Sequence, residues 1–140
     1  MKHLEDSLQK NCLRWFRLAY PRELLVHCPN GGFRDAREAA KFKEMGVRAG
    51  FPDLFLYHAA GGFHGLALEL KAGKNKQSPL QVEMQGTLEA RGYCYTVIRT
   101  FDEFRAAVEA YMAGKKAINT DGQTRVCTST INKMMDYIFR

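Results

Sequence analysis

The sequence predicts an α/β fold in which helices flank a central mixed sheet. Three observations carry that expectation. Helix-spaced apolar positions alternate with short strand-like runs, in the order αβαββαβα up to about residue 114. Proline, glycine or a capping residue marks nearly every boundary between them. The sheet must be mixed, because residues 53–71 read as an antiparallel hairpin while residues 63–98 read as strand, crossover helix and strand, which is a right-handed parallel unit.

Residues 4–19 have a helical stripe of Leu4, Leu8, Cys12, Trp15 and Ala19, with Glu5 one step round from it and Pro21 ending it. Residues 24–28 form a short apolar strand, expected to be buried, that stops at Pro29-Asn30-Gly31-Gly32. A short helix follows, opened by Asp35-x-x-Glu38 and closed by Gly46. Residues 53–57 and 63–71 are strands joined through Ala59-Ala60-Gly61-Gly62. In the second strand the period of two puts Glu69 and Lys71 on one face, and a hairpin symmetric about Gly61 sets Asp53 opposite Glu69 to within a residue. Ser78-Pro79-x-Gln81 starts a helix with proline at its first position, and the helix runs to Gly92. Residues 93–98 are the last strand. Thr100-x-x-Glu103 then caps an amphipathic helix with Phe101, Phe104, Val108, Tyr111 and Met112 inward, closed by Gly114. The domain is assigned to residues 1–114. Residues 115–140 form a C-terminal extension, polar over 119–130 and apolar over 131–139, which packs on the core or at a dimer interface.

At 140 residues the chain has room for one core. Its 46% hydrophobic and 26% charged residues are globular values and exclude a disordered or fibrous chain. No apolar run nears the roughly 18 to 20 residues of a spanning helix, and the acidic start is unlike a signal peptide, so neither a membrane protein nor a secreted one is expected. Twenty-one basic against fifteen acidic residues leave a net charge of +6, which favours polyanionic partners and nominates nucleic acid. Cys12, Cys28, Cys94 and Cys127 contain no C-x-x-C pair, which excludes a zinc ribbon, and they read as reduced and structural. His3, His27, His58 and His64 have no ligand spacing.

Asp53, Glu69 and Lys71 are the groups that metal-assisted phosphodiester hydrolysis requires. The two carboxylates, with the Leu70 carbonyl as a further oxygen, suit Mg²⁺ or Mn²⁺. Such an ion polarises a phosphate oxygen and acidifies a bound water, while Lys71 orients that water and offsets charge developing on phosphorus. A bare E-x-K is far more often an ordinary solvent-facing pair, so the surrounding residues must decide.

Those residues are Gly46-x-x-x-Gly50-x-Pro52-Asp53-Leu54, the hairpin, Glu69-Leu70-Lys71 and Ser78-Pro79-x-Gln81, preceded by an acid on the first helix and a turn at Asn30-Gly31-Gly32. Together they closely resemble the VRR-NUC domain of the PD-(D/E)xK nuclease superfamily, over roughly residues 1 to 100. The resemblance implies a restriction-endonuclease-like αβββαβ core, with the helix at 35–45 as an insertion. It implies Asp53 and Glu69 as metal ligands, Lys71 as the catalytic lysine, and Glu5 and Gln81 as further site residues. Glu5 can instead be a carboxylate stabilising its helix N-terminus, and Gln81 can complete a capping box; Gln85 is a weaker candidate. Among Arg34, Arg37, Lys41, Lys43, Arg48, Lys74 and Lys76, the best placed for DNA-backbone contacts are Arg48, Lys74 and Lys76.

The resemblance further implies a homodimeric, metal-dependent, structure-selective DNA endonuclease acting on branched DNA such as four-way (Holliday) junctions in replication, repair or recombination. It implies the cytoplasm of a bacterial cell or phage-infected host. Ile131, Met134, Met135, Tyr137, Ile138 and Phe139 would support the dimer or pack on their own subunit. The rival readings are a non-catalytic nucleic-acid-binding module, in which two carboxylates would weaken binding, and a sequence-specific restriction-type enzyme.

Overall fold

Side chains that alternate in direction with a period of two in the strands, and follow a period of 3.6 in the helices, sort the chain into one sheet between two helical layers. The computed structural model describes residues 2–29 and 35–114. Its elements are α1 (Lys2–Ala19), β1 (Leu25–His27), α2 (Ala36–Glu44), β2 (Leu54–Leu56), β3 (Leu66–Leu70), α3 (Pro79–Ala90), β4 (Cys94–Ile98) and α4 (Phe101–Met112). The order is the predicted one, with strands trimmed at their ends. Asn30, Gly31, Gly32, Arg34 and the 115–140 extension with its apolar cluster lie outside the described residues.

The sheet order is β1-β2-β3-β4, with β1–β2 and β2–β3 antiparallel and β3–β4 parallel. Leu54 faces Leu68 and Leu56 faces Leu66, so the next step of the same register brings Asp53 to Glu69. The hairpin tip runs one residue out of this register, since Ala60 opposite Phe63 would continue to Leu56 opposite Ala67 rather than Leu66. Ala60 and Phe63 exchange backbone hydrogen bonds around Gly61 and Gly62, whose φ of 60° and 85° suit the two-residue turn that matches strand twist.

One sheet face carries Leu54, Leu56, Leu66, Leu68, Leu70, Cys94 and Ile98 against Cys12 and Phe16 of α1 and Phe104, Val108 and Tyr111 of α4. The opposite face carries Phe55, Ala67 and Tyr95 against Met84 and Leu88 of α3. Covered on both sides, β3 is buried at every residue. Among the described residues, Cys12, Cys28 and Cys94 are free thiols and no helix is long and apolar enough to cross a membrane.

Two expectations are corrected. The inward line of α1 is Leu8, Cys12 and Phe16 with Trp15 beside it, while Leu4 is 65% exposed and Ala19 is exposed. Cys12 and Phe16 are one turn apart, and the same line continued toward the N-terminus reaches Glu5 rather than Leu4. An acid thus stands on the packed side of α1. The second correction concerns β1, which is not buried: it is an edge strand, half-exposed at Leu25 and Val26 and exposed at His27, because among the described elements the helices pack chiefly on β3 and β4.

Gly50 ties the segment before β2 to α3. Its φ is +80°, and a Cβ there would lie 2.5 Å from the Leu80 carbonyl oxygen and 3.0 Å from the Gln81 nitrogen. Gly46 has a similar φ of +96° with nothing within 4 Å. We expect Gly50→Ala to cost well over the ~1–2 kcal/mol of left-handed strain that Gly46→Ala costs, as measured by urea unfolding of both variants. Equal losses would mean that the contact with α3 carries no weight.

Candidate active site

Asp53 is fixed from three sides because it precedes β2 between two neighbouring strands. Its backbone carbonyl accepts from Cys28 N (3.0 Å) and the His27 ring Nδ1 (2.8 Å), and its Oδ2 accepts from the Leu70 backbone N–H (2.8 Å). Glu69 lies in the fully buried run of β3, on the α3 face, and is 1% exposed. The bland expectation for an E-x-K pair, a solvent-facing acid, is therefore excluded here. Lys71 Nζ stands 3.5 Å from Glu69 Oε1, with its side chain 13% exposed. From α1, Glu5 Oε1 accepts from the Ala72 backbone N–H at 2.9 Å.

Gln81 does both things expected of it. Its Oε1 accepts from the Ser78 N–H (2.8 Å) and completes the capping box, while its Nε2 donates to Glu69 Oε1 (2.5 Å). A single amide thereby aligns the start of α3 with the strand acid.

The remaining oxygen, Glu69 Oε2, is buried and has no hydrogen-bond donor among the described residues. Such a group is costly unless something else satisfies it. Burial, reinforced by the Asp53 carboxylate and only partly opposed by Lys71, pushes the Glu69 carboxyl up to about 8. Burial also raises Asp53 against the pull of the Leu70 N–H and Lys71. A buried acid, Glu69, and a half-buried one, Asp53, with Glu5 adding negative charge, face one ammonium, so the pocket is short of positive charge when both ionise. A divalent cation at Glu69 Oε2 and Asp53 fits that deficit. Among the described residues no group of three or more His, Cys, Asp or Glu could hold a metal by side chains alone. A cation here would draw on two carboxylates, backbone oxygen and water, which is the habit of Mg²⁺ more than of zinc.

Similarity to a known protein agrees with this geometry. A solved structure described as "VRR_NUC domain protein" superposes with a TM-score of 0.67 at 31% identity, covering 87% of this chain and 96% of that one. This chain belongs to the VRR-NUC family. No protein-family profile and no curated protein matches it. As a VRR-NUC domain it is a member of a nuclease family, with the restriction-endonuclease-like α/β fold.

The VRR-NUC assignment gives the outlying residues their context. Arg48, Lys74 and Lys76 are exposed beside the acid cluster's two flanking segments, and Arg37, Lys41 and Lys43 lie on α2, which has no buried residue. Gln85 turns away from the acids, accepting from Gln77 (3.1 Å) and donating to Glu89 (2.8 Å). Three residues of this VRR-NUC domain were not anticipated. Gln77 also donates to the Tyr95 hydroxyl (3.3 Å), and burial together with the Glu69 and Asp53 carboxylates raises that phenol. Counting in twos along β4 would have placed Tyr95 on the Glu69 face. Arg99 Nη1 donates to the Gly73 (2.7 Å) and Asn75 (2.8 Å) carbonyls, clamping the loop that bears Lys74; sequence carries no signal for that contact.

Proposed function

We propose that this VRR-NUC domain is a Mg²⁺- or Mn²⁺-dependent, structure-selective DNA endonuclease that hydrolyses phosphodiester bonds of branched DNA as a homodimer. The observation that carries the metal-dependent reading is the donor-free, buried Glu69 Oε2 beside Asp53 and Lys71. Asp53 and Glu69 would hold the metal, with the Leu70 carbonyl as a further oxygen. When bound, the ion polarises a phosphate oxygen and lowers the pKa of a water. Lys71 orients that water and offsets charge on the phosphoryl group. Gln81 fixes the Glu69 carboxylate through Oε1, leaving Oε2 for the metal. Glu5 holds the strand exit at Ala72, which keeps Lys71 in place. Arg48, Lys74 and Lys76 contact the DNA backbone. The preference for branched DNA, the dimer and a cytoplasmic setting rest on the family's character. A non-catalytic binder is disfavoured because the Asp53 and Glu69 carboxylates, when ionised, repel phosphate.

The test is a panel of four-way, flap, single-stranded and duplex DNA with Mg²⁺, Mn²⁺ or EDTA, alongside light scattering. We expect cleavage of branched substrates that EDTA abolishes, and a dimer at micromolar concentration. Cleavage indifferent to chelation would overturn the metal role, equal cutting of duplex would overturn structure selectivity, and a monomer would remove the dimer. Discrete fragments from plasmid DNA would favour the restriction-type reading.

A further inference from the structure

We infer that Arg99 is a positioning residue for DNA: it holds the loop between β3 and α3 in one shape, so that Lys74 meets the phosphate backbone at a fixed offset from Lys71. The inference rests on the nuclease reading above and adds the group that sets where one of its phosphate contacts lies. Residues 72–77 have little to pack against. Ala72 is buried, but Gly73, Lys74 and Lys76 are exposed and Asn75 and Gln77 are half-buried, so polar contacts must set the shape of the loop. The Asn75 N–H closes a four-residue turn on the Ala72 carbonyl (3.1 Å), with Lys74 at its tip. Arg99 Nη1 spans the same turn, donating to the Gly73 carbonyl (2.7 Å) and the Asn75 carbonyl (2.8 Å) on either side of Lys74. Both bonds are charge-assisted, and in an exposed loop water can satisfy such carbonyls, so what the guanidinium adds is a single shape.

The base of the clamp is itself fixed. Arg99 directly follows β4, and its own N–H donates to Glu103 Oε2 (2.6 Å) at the start of α4. The carbonyl just before it, that of Ile98, accepts from the Lys71 N–H (2.9 Å), so Lys71 and Arg99 leave the sheet from the end of one ladder. The clamp ties Lys74 to that same end. Farther along the loop, the Gln77 amide donates to Gln85 on α3 (3.1 Å) and to the Tyr95 hydroxyl (3.3 Å), which holds the exit as Arg99 holds the turn. A lysine on a loose loop must be ordered each time it meets a phosphate, whereas on a clamped turn much of that ordering is complete in the free protein. The consequence is register: a phosphate held by Lys74 fixes which neighbouring phosphate reaches Lys71 and the acids.

The experiment compares the native protein, Lys74→Ala, Arg99→Lys and the double variant by fluorescence anisotropy on a four-way junction. It is run in EDTA, where nothing is cleaved and no divalent ion competes for the phosphates. Arg99→Lys keeps the charge but replaces a rigid planar donor with a flexible, strongly hydrated ammonium. In the native background Lys74→Ala should reduce the slope of log affinity against log salt by about 0.9, the loss of one phosphate contact. Arg99→Lys should reduce it by a similar amount despite its unchanged net charge, and adding Lys74→Ala should then change it no further. A native slope in Arg99→Lys would overturn the inference, as would no effect of Lys74→Ala in the native background. Additive losses would make Arg99 a phosphate contact in its own right and contradict the positioning role. Amide hydrogen exchange needs neither DNA nor a variant: the Asn75 N–H should exchange at least about 10-fold more slowly than in an unstructured chain, and Arg99→Lys should lose most of that protection. An unprotected Asn75 amide in the native protein would overturn the clamp even if the variant failed to fold. Because no cleavage is read, failure here leaves the nuclease reading standing, while a protein that showed these slopes yet cleaved nothing would sink that reading alone.

Discussion

Lys71→Ala should lower the rate of single-turnover DNA cleavage by at least about 100-fold, the usual scale for losing a positioned acid–base or charge-stabilising group. DNA affinity should change no more than a few-fold, since Arg48, Lys74 and Lys76 remain. The reason is local charge. Lys71 supplies the ammonium within 3.5 Å of Glu69, in a pocket where the Asp53 and Glu5 carboxylates also act on that acid. Its loss leaves the phosphoryl charge unopposed. It also removes a group that lowers the Glu69 carboxyl, so the residual activity should rise toward higher pH than in the native enzyme. Lys71→Arg should not restore the rate, because a planar guanidinium presents its charge and donors in a different geometry from a compact ammonium. Single-turnover rates across pH, with anisotropy for binding, check each part. A rate within ten-fold of native would remove Lys71 from the chemistry.

Glu69→Gln should make the metal-free protein more stable at pH 8, by a few kcal/mol. The folded-state carboxyl titrates at about 8 against an ordinary 4.5, so between those values the folded protein holds a proton that the unfolded chain has released. Native stability is then full below pH 4.5 and falls as pH rises to about 8, by up to about 1.4 kcal/mol per pH unit. Glutamine is neutral throughout and loses this slope, although it keeps an oxygen for Gln81. Urea unfolding in EDTA should find the two proteins nearly equal at pH 5 and the variant ahead at pH 8. Adding Mg²⁺ should raise the stability of the native protein and leave the variant unmoved. A native stability that is flat from pH 5 to 8 would refute the buried, unsatisfied carboxyl.

Much of this site is legible in the sequence because its geometry is local. The Asp53–Glu69 pairing follows from a hairpin centred on Gly61 and a period of two, and the cap that Gln81 makes follows from its spacing after Ser78. What escaped depends on how elements meet. The rotation of α1 that turns Glu5 inward is set by Cys12 and Phe16 docking on the sheet, and a stripe drawn from Leu4 fits the apolar pattern equally well. The exposure of β1 depends on which strands the helices cover, since β4, the other edge, is buried. The Arg99 clamp joins residues 24 and 26 positions apart. Burial of Glu69 is the decisive example: its neighbours Leu68 and Leu70 announce one buried face, while burial of the other requires α3 to lie across it.

The central claim is that Asp53 and Glu69 hold a divalent cation. Its most direct test is a Mn²⁺ titration read by electron paramagnetic resonance at pH 7, with the protein bound to uncleavable phosphorothioate DNA. Saturable Mn²⁺ binding is expected, with release of a proton from Glu69 as the metal enters, and with both signals lost in Glu69→Gln. Undiminished Mn²⁺ binding in that variant, or none in the native protein, would contradict the account.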